Sequence, residues 1–191
     1  MKSTSLLAIP GSLRAGSSNT ALLEAASRLA PPSCRLELWH GMSDLPHFNP
    51  DLEEQGDALL PASVRDLRRR VGAADGLIVS TPEYAHGLPG AFKNLLDWLV
   101  GDAEFAGKPV AVLSPSARAV HARGQLSEIL LTMSARLIAD SRFVVQLPAR
   151  DMDAAAIVAD AETSAALRTA LAEICAVVSS AAAGVSPRPL R

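Results

Sequence analysis

The chain has 191 residues, 49% hydrophobic and 20% charged, which is enough for one well-formed core and excludes an intrinsically disordered chain. Lys and Arg number 18 against 20 Asp and Glu, a net charge of -2, so no overall field attracts a polyanion and nucleic-acid binding is not expected. Cys34 and Cys175 lie far apart and outside any Cys-x-x-Cys pair, the apolar run near the start is too short for a signal-peptide core, and no stretch approaches the roughly 18 apolar residues of a membrane span; a cytoplasmic protein without disulfides or zinc is expected.

In chain order, residues 6–9 form a short, unalternated apolar run of strand length. After a turn-rich segment, Leu22, Ala25, Ala26 and Leu29 keep the i, i+3, i+4, i+7 spacing of one helix face. Leu36 and Leu38 alternate around Glu37 and run into Trp39, a second strand. Residues 40–56, with Pro46, Phe48, Asn49 and Pro50 among polar neighbours, read as an extended connection and not a helix. The basic run 65–70 reads as the solvated face of a helix.

Residues 77–80 predict a third strand, and Phe92, Leu95, Leu96 and Leu99 a helix. Residues 110–113 predict a fourth strand, Leu126, Ile129, Leu130, Met133 and Leu137 a further helix, and residues 143–147 the fifth strand. Leu167, Leu171, Ile174, Cys175 and Val178 mark the last helix. The tail 186–191, with two prolines and no periodicity, is expected to be a mobile end to a single domain spanning residues 1–185.

Strands alternating with helices imply parallel strands joined by right-handed crossovers, with helices on both faces of one sheet. Five strands in this length suit a flavodoxin-like, doubly wound α/β fold, which places ligands beyond the carboxyl ends of the strands where the winding reverses. The loops after strands one, three and four are therefore the places to look for function.

The first of these loops, Pro10-Gly11-Ser12-Leu13-Arg14-Ala15-Gly16-Ser17-Ser18-Asn19, has a phosphate-loop composition. Its glycines admit close backbone approach, its hydroxyls and Asn19 offer hydrogen bonds, Arg14 brings charge, and the following helix start presents unpaired N–H groups. The plain alternative is that Ser17 or Ser18 caps the helix and the glycines make a turn. The dinucleotide pattern G-x-G-x-x-G is absent, and the nucleoside-triphosphate loop would need lysine where Ser17 stands, which counts against a phosphotransferase.

The third strand leads into Ser80-Thr81-Pro82-Glu83-Tyr84-Ala85-His86-Gly87-Leu88-Pro89-Gly90, stiffened by two prolines and suited to offering backbone groups to the edge of a flat ring. A planar heterocycle carrying one phosphate fits both loops.

Gly11, Ser12, Leu13 and Arg14 followed by Ser17 and Asn19, and then Pro82, Glu83 and Tyr84 followed by Pro89, Gly90, Lys93, Asn94, Asp97 and Trp98, resemble the two signatures of the NADPH-dependent FMN reductase family, G-S-L-R with S-x-N and P-E-Y with P-G-x-x-K-N-x-x-D-W. The resemblance implies that Ser12, Arg14, Ser17, Ser18 and Asn19 hold the FMN phosphate and that Pro82, Glu83 and Tyr84 border the ring, with His86 and Gly87 beside them. Ala85 and Gly87 depart from the Asn and Ser common in the family. Ser114, Ser116 and Arg118 stand where many relatives carry a glycine-rich loop, and are further expected contacts.

The resemblance also implies NADPH or NADH as co-substrate, with a quinone, a free flavin, an azo compound or an oxidising metal anion as acceptor. It further implies a homodimer or homotetramer with residues 40–56 as a candidate contact. A flavodoxin-like electron carrier is the alternative, disfavoured by Arg14 in the loop and by the small net charge. No catalytic acid or base is assigned, since the protein's part in flavin chemistry is mainly to orient and tune. His86 and His121 are read as structural, His40 and His47 as ordinary loop residues, and four scattered histidines with two cysteines as no metal site.

Overall fold

The computed structural model describes residues 3–54, 56–138 and 143–182. Five parallel strands, β1 (Thr4–Pro10), β2 (Cys34–Leu38), β3 (Gly76–Ser80), β4 (Pro109–Val112) and β5 (Arg136–Ile138), form one sheet in the order β2-β1-β3-β4-β5. The described helices are α1 (Ser18–Leu29), α2 (Pro50–Glu53), α3 (Ala62–Ala73), α4 (Gly90–Asp97), α5 (Val120–Thr132), α6 (Ala154–Ala159) and α7 (Ala161–Ala182). This is the expected flavodoxin-like fold.

The unalternated strands carry two cores at once. Successive side chains of β1 point to opposite faces, so Leu6 and Ala8 join α1, α6 and α7 on one side, while Leu7 and Ile9 join α3, α4 and α5 on the other. β3 divides likewise, Ile78 to the first core, Leu77 and Val79 to the second. α7 is long and apolar enough by length and composition to cross a membrane; here Leu167, Leu171, Ile174 and Val178 are wholly buried, and it serves as a core helix.

Four expectations change. Residues 40–56 are not simply extended: a 3-10 turn covers Gly41–Asp44, and Asn49 caps α2, with Pro50 in its first turn where a missing N–H costs nothing. The motif residues after β3 explain why this segment is held. Asn94 and the Trp98 indole both donate to the Pro46 carbonyl at 2.9 Å, Phe48 donates its N–H to Asn94 Oδ1 at 2.7 Å, and the Phe48 ring meets Trp98 edge-on at 5.0 Å.

The helix expected to run through Leu137 stops at Thr132, because Ser134 takes a left-handed φ of 61° and turns the chain back, leaving Leu137 in β5. Residues 143–147, expected as the fifth strand itself, continue that edge instead. Ser114 donates to Phe143 O and accepts from Val145 N–H, both at 2.9 Å, and Leu147 N–H reaches Pro115 O at 3.1 Å. Pairing is confined to a bridge because Leu147 N–H meets Pro115 O and not the Ser116 carbonyl that a regular parallel ladder would use next.

The basic run is a solvated face only in part, with Arg65 and Arg69 exposed and Arg68 and Arg70 half-buried. Arg68 donates to the Trp98 carbonyl at 3.0 and 2.8 Å and pairs with Glu53, Arg65 caps the Ala58 and Leu60 carbonyls, and Arg70 joins Asp66 and Glu37. These cations brace α3 against its neighbours. The tail 186–191 lies outside the described residues.

Candidate active site

β1 and β3 lie side by side and the chain departs from them in opposite directions, so the winding reverses between them. There Gly11 continues β1 by donating its N–H to Ser80 O at 2.8 Å. A Cβ on Gly11 would stand 2.7 Å from both Cβ and Oγ1 of Thr81, so only glycine lets the turn pass this close.

The turn then organises itself. Ser12 Oγ accepts the Arg14 N–H at 3.2 Å, and Ser17 caps α1 by accepting the Thr20 N–H at 3.4 Å. Buried Asn19 is tied down by the Ser80 hydroxyl, which donates to its Oδ1 at 2.9 Å. Arg14 is exposed at the rim, and the mouth of α1 opens on the space that Gly16, Ser18 and Asn19 border.

After β3, Tyr84 and Gly87 exchange two backbone hydrogen bonds, 3.0 and 2.9 Å, around Ala85 (φ 49°) and His86 (φ 60°). Two successive left-handed residues are the pattern of a type I′ turn, which asparagine and glycine enter most easily. α5 holds this turn in place: Gln125 Oε1 accepts the Leu88 N–H at 2.8 Å, and Glu83 Oε2 accepts the Ala122 N–H at 2.9 Å. Ala119, the residue preceding α5, makes no side-chain cap, so Glu83 does that work from another loop. The Ala122 N–H chiefly, helped by the His121 N–H and the nearby imidazoles against the effect of burial, holds the Glu83 carboxyl below its ordinary range.

After β4, the buried Ser114 hydroxyl donates to Ser116 O at 2.8 Å and Ser116 Oγ accepts the Arg118 N–H at 3.2 Å. Between the three loops runs a cleft of about 540 Å³, inside the span of roughly 300–1,000 Å³ usual for small-molecule sites.

The sequence profile of the NADPH-dependent FMN reductases matches residues 4–147. The chain belongs to that family. By family it is an FMN-dependent oxidoreductase with NAD(P)H as electron donor. It is 41% identical over 114 residues to an NAD(P)H-dependent FMN reductase of Pseudomonas aeruginosa, an alignment covering 59% of this chain and 60% of that protein. It is 33% identical over 139 residues to a quinone reductase of Escherichia coli, covering 70% and 73%. Among solved structures, the flavoenzyme NAD(P)H:(acceptor) oxidoreductase FerB of Paracoccus denitrificans superposes with a TM-score of 0.79 at 29% identity, over 92% of this chain and 97% of that one.

Of the residues that the FMN reductase motifs single out, the fold brings Arg14, Ser18, Asn19, Pro82 and Glu83 to the cleft wall, and with them Ser114, Ser116 and Arg118 from the third loop. Ser12 and Ser17 shape the first loop from within. Tyr84, His86 and Gly87 form the hairpin beside the cleft and not its lining, with Tyr84 53% exposed. Lys93 pairs with Asp97 at 2.5 Å along α4, and Asn94 and Trp98 brace residues 46–48.

Sequence reading missed Thr81 and the wall made by Gln146, Leu147, Pro148, Ala149 and Arg150. The signal was available: this segment follows the last apolar run, at the carboxyl edge where such folds place ligands. The histidines are not all scattered, since His86 and His121 stack with centroids 4.3 Å apart.

Proposed function

We propose that the cleft holds FMN, and that the protein passes electrons from NADPH or NADH to a small planar acceptor of the quinone class. One observation carries this reading: a single cleft joins Arg14 and the mouth of α1 to the loops after β3 and β4. Arg14, with the N-terminal amides of α1, suits a phosphate, and each charge-assisted bond is worth roughly 1.5–3 kcal/mol. Pro82 and Glu83 offer a stiff edge on which a flat ring is oriented, and Ser114, Ser116 and Arg118 close the other side. Bound FMN supplies the redox chemistry, accepting hydride from the nicotinamide and returning two electrons to the acceptor.

The quinone class is favoured because the Escherichia coli relative is a quinone reductase, and an open polar cleft admits flat molecules in turn. Donor and acceptor sharing one cleft gives ping-pong kinetics. Buried free thiols at Cys34 and Cys175 suit a reducing compartment, which favours the cytoplasm. Leu13, Tyr84 and Val120, each more than half exposed on or beside the loops that border the cleft, favour a second copy of the chain covering its mouth in a homodimer or homotetramer.

The test is direct. Purified protein is expected to be yellow, to release FMN on heating, and to lose its colour when NADPH or NADH is added without oxygen. Protein that is colourless and takes up no added FMN overturns the proposal.

A further inference from the structure

Beside the cleft, Glu83 and His86 from the loop after β3 meet His121 from the start of α5. Each offers one ligand atom, and the three atoms lie within 4.8 Å of one another. We propose that these side chains bind a divalent transition-metal ion, with zinc as the reference. Two imidazoles and one carboxylate are the donor set of zinc, cobalt or nickel sites; magnesium and calcium take oxygen ligands instead.

Two of the ligands are held in place before any ion arrives. The Glu83 carboxylate is fixed by the Ala122 N–H at 2.9 Å, and its charge rests on the positive end of α5. His86 is held by the crossed Tyr84–Gly87 hydrogen bonds in a left-handed conformation, φ 60°, that a histidine pays to adopt. Backbone strain of that kind persists where the surroundings impose it, and it gathers at functional sites. His121 stands in the first turn of α5, its ring 23° from parallel with that of His86.

Both imidazoles are exposed and turn without displacing core atoms. Zinc bonds of about 2.0–2.1 Å in a tetrahedral site put neighbouring donors roughly 3.3 Å apart, so the widest spacing within the cluster has to close by no more than about 1.5 Å. Three protein ligands leave a fourth position for water or an anion, and Glu83 also lines the cleft, so that position opens at its rim.

The test is calorimetric titration of the flavin-loaded protein with Zn²⁺, repeated with Co²⁺ while the visible spectrum is recorded. One equivalent per chain at micromolar or tighter Kd is expected, with the intense visible bands of four-coordinate cobalt. His86→Asn, whose side chain tolerates the left-handed turn, and His121→Gln, on the helix surface, should each weaken binding by about tenfold or more. His40→Asn with His47→Asn should leave it unchanged. Absence of a stoichiometric site in the parent protein, equal affinity in the His86 and His121 variants, or loss in the His40 and His47 variant overturns the proposal.

Discussion

The turn after β1 makes its own shape, with Ser12 accepting from Arg14 and Ser17 from Thr20, whereas the loop after β3 is held by α5, through Glu83 and Ala122 and through Leu88 and Gln125, partners 39 and 37 residues apart. Both border one cleft. A self-organised turn announces its chemistry in a short string of residues. A loop held from elsewhere gives its side chains duties that a motif does not reveal: Glu83 caps a distant helix, and Asn94 and Trp98 pin residues 46–48.

The largest expected effect tests the first loop as an anion site. Arg14→Ala should raise the Kd for FMN by roughly ten- to a hundredfold, the equivalent of about 1.5–3 kcal/mol, while kcat at saturating FMN stays the same. Equilibrium dialysis beside steady-state rates would check this, and unchanged FMN affinity would break the contrast. Next comes Gly11→Ala. Its Cβ would meet buried Thr81 at 2.7 Å, and the forced shift should cost about 1–3 kcal/mol, read as a lower Tm together with weaker flavin retention.

A smaller effect of opposite sign is expected in the second loop. Ala85→Gly removes the penalty of a left-handed alanine, offset in part by the freer unfolded chain, and should stabilise by up to about 1 kcal/mol in thermal unfolding. A fall in Tm would show that the turn is not held as described.

The smallest effect depends on pH. The folded-state pKa of Glu83 is depressed, so its charge contributes stability that is present above the ordinary carboxylate pKa and is lost as pH falls through the lowered value. Glu83→Gln should therefore melt slightly below the parent at neutral pH, and the gap should shrink towards zero in acid. A gap that is constant with pH would mean that the charge on the cap is not what matters.

Much of this architecture was legible locally. The apolar runs of β1, β3 and β4 lack alternation because both faces of their sheet are covered, and with helices alternating between them they identify a central parallel sheet. Leu137 was misread because Met133 and Leu137 keep helical spacing, and spacing does not register the left-handed φ of Ser134 that ends the turn. The solvated-face reading of α3 holds for Arg65 and Arg69 but not for Arg68 and Arg70, because charge in a sequence does not show whether Trp98 O, Glu53 and Glu37 lie within reach.

The order of residues by itself determined the fold class and the family, since each rests on short-range periodicity or on short motifs of neighbouring residues. Only the tertiary structure decided that Asn94 and Trp98 brace residues 46–48, and that Glu83, His86 and His121 meet. Those are contacts between distant segments, created when hydrophobic burial stacks helices on the sheet, and nothing in the local spacing of the chain encodes them.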